Sequence, residues 1–351
     1  MTWQPDYRHV LDAANNRRPA RLPLYEHNIN VDFIALTRPI EIPRIGASEA
    51  VWQQFFDVFC DFWKSKTYDC LSFEGCVTSI LPDSGALMGG RPGPIQSWED
   101  FRAYPWDDLP RIYWDRYEPA FRALSVKLPP GMKAIGGIGN GVFEIVQDLV
   151  GYEYLGLMQY DDPELFGAIF SKVGDLMKTI WREFLQRHSD AYAVCRFGDD
   201  LGFKSATLLA PETIVEHIVP QYRRIVTMVR SAGKPFLLHS CGKIFPVMEE
   251  MIAIGINAKH SNEDQIAPFE EWIRLYGDRI ALFGGIDVND LCMHTPDDVF
   301  EKVFERGALF RNMARGFALG SGNSIPEYVP VACFDAMVAA AQELRIHDAS
   351  V

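Results

Sequence analysis

Short runs of apolar and β-branched residues recur along the chain. Each closes on small or polar residues and is followed by a stretch with helical spacing. Eight such runs lie at 21–28, 68–75, 133–141, 191–202, 235–242, 256–263, 280–287 and 317–325. Strand-sized runs alternating with helices predict βα units, and eight of them predict a closed parallel (β/α)8 TIM barrel. The helical stretches carry their own signals. Ser48 caps a stretch with apolar residues on one face, and Asp162-Pro163 opens a long amphipathic one. The stretch at 210–233 opens with Pro and closes on Gly, and Pro220 inside it predicts a kink or a division. Residues 81–130, rich in Pro, Gly and Trp, fit no single βα unit. They predict an insertion after the second strand, lying over one end of the barrel. With no internal repeat, a single domain over 1–351 is expected.

Composition narrows the function classes. With 351 residues, 48% hydrophobic and 23% charged, the chain has ordinary globular values and length for a sizeable core. A formal charge of −13 argues against a nucleic-acid surface, which needs clustered Lys and Arg. No run approaches the roughly 20 apolar residues of a membrane span. The opening residues lack the basic-then-apolar pattern of a secretory leader. The seven cysteines form no regular framework, which disfavours a disulfide scaffold. A soluble, cytoplasmic protein is the expectation. Cys60, Cys70, Cys195 and Cys292 read as small core hydrophobes.

In a barrel of this kind chemistry gathers at the C-terminal ends of the strands. The eight runs end, in order, on Glu26, on Glu74 with Cys76, on Asn140, on Asp199-Asp200, on His239 and Cys241, on His260, on Asp287, and on Ser321 with Asn323. Any one of these reads equally well as a loop or capping residue, Asp287 above all. Two adjacent acids after "CRFG" ask for more than a cap. The pair in "PFLLHSCG" is the sharpest signal. Strand side chains alternate faces, so His239 and Cys241 point the same way at a strand end. An imidazole and a thiolate converging there form a zinc-type ligand pair. The glycines at 136–141 fail G-x-G-x-x-G, because the third would fall at Val142. They read instead as room for a close approach or a tight turn.

With "HSCGKI", "YGDRIALFGGIDVNDL", "TPDDV" and "GSGNSIPEYVPVACFDAM" in this order, the chain resembles the uroporphyrinogen decarboxylase superfamily. The likeness spans nearly the whole chain and is most specific from Pro211 onward. It implies a (β/α)8 barrel and one of two activities. One branch decarboxylates porphyrinogens without a cofactor, gripping propionates with an Arg-rich N-terminal motif. Here that region reads "PLYEHNINVDF", with an acid, Glu26, in place of the basic grip. The other branch comprises zinc-dependent methyltransferases acting between corrinoid proteins and thiols such as coenzyme M. Its His-x-Cys matches His239 and Cys241, and its later Cys falls at Ser321.

The resemblance therefore favours a zinc-dependent methyltransferase with a corrinoid protein or methylated small molecule as partner. The third ligand is open among Cys76, Glu26, Glu74, Asp199 and Asp200. An oxygen ligand would make the metal a harder Lewis acid. Asp199, Asp200, Glu26 and Glu74 are candidate catalytic residues. Asn140, Asp287, Ser321, Asn323 and His260 are candidate substrate contacts, and His239, Cys241 and Cys76 are the metal set. The alternative is a metal-free carboxy-lyase, for which Arg196 and Lys204 are the candidate grips on a carboxylate. A third reading is a non-catalytic corrinoid or tetrapyrrole binder using the aromatics of 98–117. A homodimer is expected from general frequency.

Overall fold

A computed structural model describes residues 3–87 and 89–349. Seven strands form one parallel sheet in chain order: β1 (Cys70–Cys76), β2 (Lys133–Gly139), β3 (Tyr192–Gly198), β4 (Phe236–His239), β5 (Ala258–His260), β6 (Ala281–Ile286) and β7 (Phe317–Ser321). Helices cross between them, as parallel neighbours require.

The first of the eight expected strands is not a strand. In residues 21–28 Leu24 makes an isolated parallel bridge to Leu319 of β7. Tyr25 N donates to Leu319 O at 2.9 Å and Leu319 N to Pro23 O at 3.0 Å. Toward β1 the link runs through a side chain, with Ser72 Oγ donating to the Glu26 carbonyl at 2.5 Å. Pro23 has no N–H to extend a ladder. The segment nonetheless joins β7 to β1 and curls the sheet on itself.

Alternation along the strands divides the core in two. Leu71, Ile138, Phe197, Leu238, Leu282 and Leu319 face outward onto the helices. Cys70, Ile135, Val194, Leu237, Ala258, Ala281, Phe283 and Ala318 face inward with Tyr25. The inner floor is closed by α1 (Arg8–Ala14), which contributes Val10, Ala13 and Ala14. The small alanines of β5, β6 and β7 make room for it. The apolar plug fills the N-terminal end and leaves the C-terminal strand ends to polar side chains.

Residues 81–130 differ from the expectation. Their second half holds α3 (Leu109–Lys127), which packs on α2 (Glu49–Ser65) and is an ordinary crossover helix between β1 and β2. Pro119 inside α3 and the preceding Trp and Pro residues masked its helical spacing. The first half folds against α4 (Val142–Val150). Asp148 accepts from Gly85 N and Leu87 N, while Gly93 N and Ile95 N donate to the carbonyls of Val150 and Leu149. Pro220 does divide its helix. A π-helical turn at Ile214–Ile218 precedes α5 (Val219–Ser231), because the proline cannot donate to the preceding turn.

Candidate metal centre at the strand ends

The β4–β5 register sets His239 opposite His260, and both follow inward-facing residues, Leu237 and Ala258, by two positions. In the 21–28 segment the same alternation turns His27 inward after Tyr25. The His27 ring lies on His239 with centroids 3.6 Å apart and planes 14° from parallel. His239 Nδ1 and His260 Nδ1 are 2.8 Å apart, and His260 Nε2 is 3.0 Å from Ser321 O. Burial pushes all three imidazoles below their ordinary range, His260 to about 3. They are neutral, which is the ligating form.

Neutrality determines where the protons sit. A carbonyl only accepts, so His260 Nε2 carries the proton given to Ser321 O. His260 Nδ1 must then accept, and His239 Nδ1 must donate to it. His239 Nε2 is left with a bare lone pair. This is the pattern of a metal-ligating histidine, whose other nitrogen is held by a hydrogen bond.

That lone pair faces two further donor atoms. The loops after β3 and β4 are zipped together. Leu201 N donates to Ser240 Oγ at 3.2 Å, Cys241 N to Asp200 Oδ1 at 2.9 Å, and Lys243 N to Phe203 O at 2.8 Å. Gly242, at φ 82°, makes this possible: a Cβ there would lie 2.1 Å from the Gly202 carbonyl carbon. The result places Cys241 Sγ 3.5 Å and Asp200 Oδ1 3.8 Å from His239 Nε2. Tetrahedral zinc, with bonds of roughly 2.1 Å to N or O and 2.3 Å to S, separates such ligands by about 3.6 Å (N to S) and 3.4 Å (N to O). The donor set fits a zinc ion with small adjustment. Ser261 Oγ and Asn323 Nδ2 each lie 3.5 Å from the same sulfur. Ser261 is held at φ 100°, a strained conformation for a residue with a side chain.

The adjacent acids part company. Asp199 is fully buried and accepts from Phe143 N at 2.9 Å, Glu144 N at 2.8 Å and the Tyr222 hydroxyl, capping α4 from outside its own element. Gly141 supplies the room, since a Cβ there would meet the Asp199 carboxyl at 2.2 Å. The glycine-rich turn thus admits a carboxylate of this same chain. Asn140 Oδ1 accepts from Thr78 N and Oγ1, and Asn140 Nδ2 donates to Glu144.

Glu26 points away from His27, behind the sheet. It accepts from Ser321 N at 3.1 Å and the Tyr68 hydroxyl at 3.2 Å, and burial pushes its carboxyl up to about 8. Ser321 Oγ donates to Glu26 Oε2 and also lies 2.5 Å from Asn323 O. Glu26 and Ser321 therefore lie outside the His–Cys centre. Cys76 belongs to neither metal-competent group: one joins His27, His239 and His260, the other Asp200, His239 and Cys241. Asp287 caps a turn, accepting from Asn289 N and Asp264 N.

Arg196 points inward and is paired with Glu74. Nε and Nη2 reach Glu74 Oε2 at 3.2 and 2.7 Å, and Nη1 reaches Tyr25 Oη, Ser72 Oγ and His27 O. Lys204 is exposed and donates to Gln265. Of the aromatics at 98–117, Tyr113, Trp114 and Tyr117 are buried in the packing of α3. His27, which ends the first run beside Glu26 and Asn28, is the residue to which sequence reading gives no role. Glu26 and His27 cannot share a face, and Tyr25, packed with the inner residues, puts His27 on the inner one.

A curled parallel βα sheet with a histidine–cysteine centre at its C-terminal strand ends defines an α/β barrel-like class with a polar rim. The uroporphyrinogen decarboxylase (URO-D) profile matches residues 92–344, and the chain belongs to that family. No curated protein matches it in sequence. Among solved structures it is similar to a methyltransferase from Methanosarcina mazei, at 15% identity and a TM-score of 0.74, over 96% of this chain and 98% of that one. It is also similar to a B12-independent methionine synthase from Shewanella sp. W3-18-1, in complex with selenomethionine, at 11% identity and a TM-score of 0.56, over 94% and 100% of the two chains. At these identities the likeness is one of fold. Among the described residues no helix is long and apolar enough to cross a membrane.

Proposed function

We propose that this chain is a zinc-dependent methyltransferase of the URO-D family, with His239, Cys241 and Asp200 as its protein ligands. The observation that carries the reading is the bare Nε2 lone pair of His239, faced by Cys241 Sγ at 3.5 Å and Asp200 Oδ1 at 3.8 Å. The fold shared with a methyltransferase and a methionine synthase supports the reaction class. Zinc would supply a Lewis acid that ionises a thiol or polarises an oxygen. The oxygen of Asp200, where the resemblance leads to expect a second thiolate, makes that acid harder. His260 holds the His239 tautomer, and Asp200 anchors the Cys241 backbone. Ser261 and Asn323 place hydrogen-bond donors beside the sulfur, tempering its charge. A corrinoid protein is the natural methyl carrier for such a centre.

The carboxy-lyase reading has less support, because the cation it needs is already paired: Arg196 is bridged to Glu74 and also donates to Tyr25, Ser72 and His27 O. The test is metal content of the purified chain. About one zinc per chain is expected, with loss in Cys241→Ser and Asp200→Ala. Cobalt(II) substitution should give a thiolate charge-transfer band. Unchanged metal in both variants defeats the assignment.

A further inference from the structure

A cavity of about 290 Å³ opens beside the centre, with His27 in its wall. His27 is also the ring stacked on His239, so the cavity borders the centre through this ring, while His239, Cys241 and Asp200 lie outside its lining. Its lining is largely apolar, with Val31, Phe55, Phe59 and Phe73. Its polar members are Asn28, Ser72, Glu74, Arg196 and Ser324, beside the Cys76 thiol. The charges there cancel, since Arg196 is paired with Glu74. Glu74 commits Oε2 to Arg196 and is partly exposed, which leaves Oε1 to accept from a ligand. Burial pushes the Cys76 thiol up, so it stays uncharged.

Size and charge together select a ligand. A cavity of roughly 150 Å³ holds one benzene, so a four-ring macrocycle would need about 600 Å³. A corrinoid or porphyrinogen does not fit here. An anion finds no unpaired cation. We infer that this cavity binds a small, uncharged, mostly apolar molecule of about eight to twelve non-hydrogen atoms, whose one hydrogen-bond donor is held by Glu74 Oε1. Its service as the methyl-bearing substrate rests on the reading of the His239–Cys241 centre given above. The binding itself does not.

Calorimetry on the full chain, zinc-free and zinc-loaded, distinguishes the two. The probes are p-cresol, 4-methylanisole, which keeps the ring and lacks the donor, and p-toluate, which carries an anion. Expected is p-cresol binding with a Kd of about 1 mM or tighter. 4-Methylanisole should bind about tenfold more weakly, and p-toluate should give no measurable heat. Phe59→Trp fills the cavity and should weaken p-cresol at least tenfold. Val31→Phe, at the half-buried lip, repeats the test should the first variant fold poorly. The inference is overturned if p-toluate matches p-cresol, if no probe binds, or if both folded variants bind as the native chain does. Binding in a chain that takes up no zinc would sink the metal reading alone.

Discussion

Replacing His260 with Phe isolates the hydrogen-bond relay from the metal ligands. Phe approximates the imidazole in shape and keeps the edge contact with Tyr25, whose ring centroid lies 4.9 Å away. What it removes is the acceptor 2.8 Å from His239 Nδ1 and the donor 3.0 Å from Ser321 O. In a buried site an N–H without an acceptor costs about 1–3 kcal/mol. His239 escapes that cost by moving its proton to Nε2, where Asp200 Oδ1 and Cys241 Sγ can accept it. Zinc then has to displace the proton and restore the costly tautomer. The expected penalty of about 1–3 kcal/mol is a loss of about 5- to 160-fold in zinc affinity, which spans the usual range for such supporting partners. Competition against a chromophoric chelator measures it. The cobalt(II) thiolate band should persist in the variant at saturating metal, because Cys241 is untouched. His260→Gln, with both an acceptor and a donor, should recover part of the loss. Unchanged affinity in His260→Phe would refute the tautomer argument. A native cobalt(II) complex with no thiolate band would move the ion to the His27–His239–His260 side.

The adjacent acids should separate cleanly. Asp199→Ala strips a buried cap from three donors and should cost about 3–5 kcal/mol in urea unfolding, while folded protein still takes up zinc. Asp200→Ala should cost about 1–2 kcal/mol, because the carboxylate is half-exposed but holds the Cys241 N–H, yet lose the metal; equal stability losses would contradict this division. Glu26 is raised by burial to about 8 from an ordinary 4.5, so the folded chain holds a proton that the unfolded chain releases. Its contribution is complete below about pH 4.5 and is lost as pH climbs through 8. The stability advantage of Glu26→Gln over the native chain should therefore grow from pH 5 to pH 9, and a flat difference would show the acid to be ionised. Ser261→Gly relieves a strained φ at the cost of backbone entropy and should leave Tm level or slightly raised. Ser261→Ala keeps the strain, loses the hydroxyl beside Cys241 and should lower Tm.

What could be read from the chain follows from which regularities are local. The alternation of strand side chains is local, so the sequence sets His239 and Cys241 on one face, where they stand 3.5 Å apart. The helix boundaries, the division at Pro220 and the turn-capping role open to Asp287 are local in the same sense. Failures came where a residue's partner is distant in sequence. Nothing beside Asp199 reveals that α4, more than fifty residues earlier, needs its carboxylate, so Asp199 and Asp200 looked equivalent. Nothing beside Ser321 reveals that Glu26 reaches it from 295 residues away. The run at 21–28 has the pattern of a strand, yet strandhood requires hydrogen bonds on its flanks, and Pro23 and Ser72 decide that by chemistry the pattern does not contain. His27 falls between the two cases. Parity alone separates it from Glu26, and parity is local once one inward residue is known. Leu24 and Tyr25 are both apolar and buried, so the pattern at 21–28 does not say which faces inward; the structure gives Tyr25 to the inner face. Once Tyr25 is known to face inward, alternation brings His27 to the centre and sends Glu26 behind the sheet.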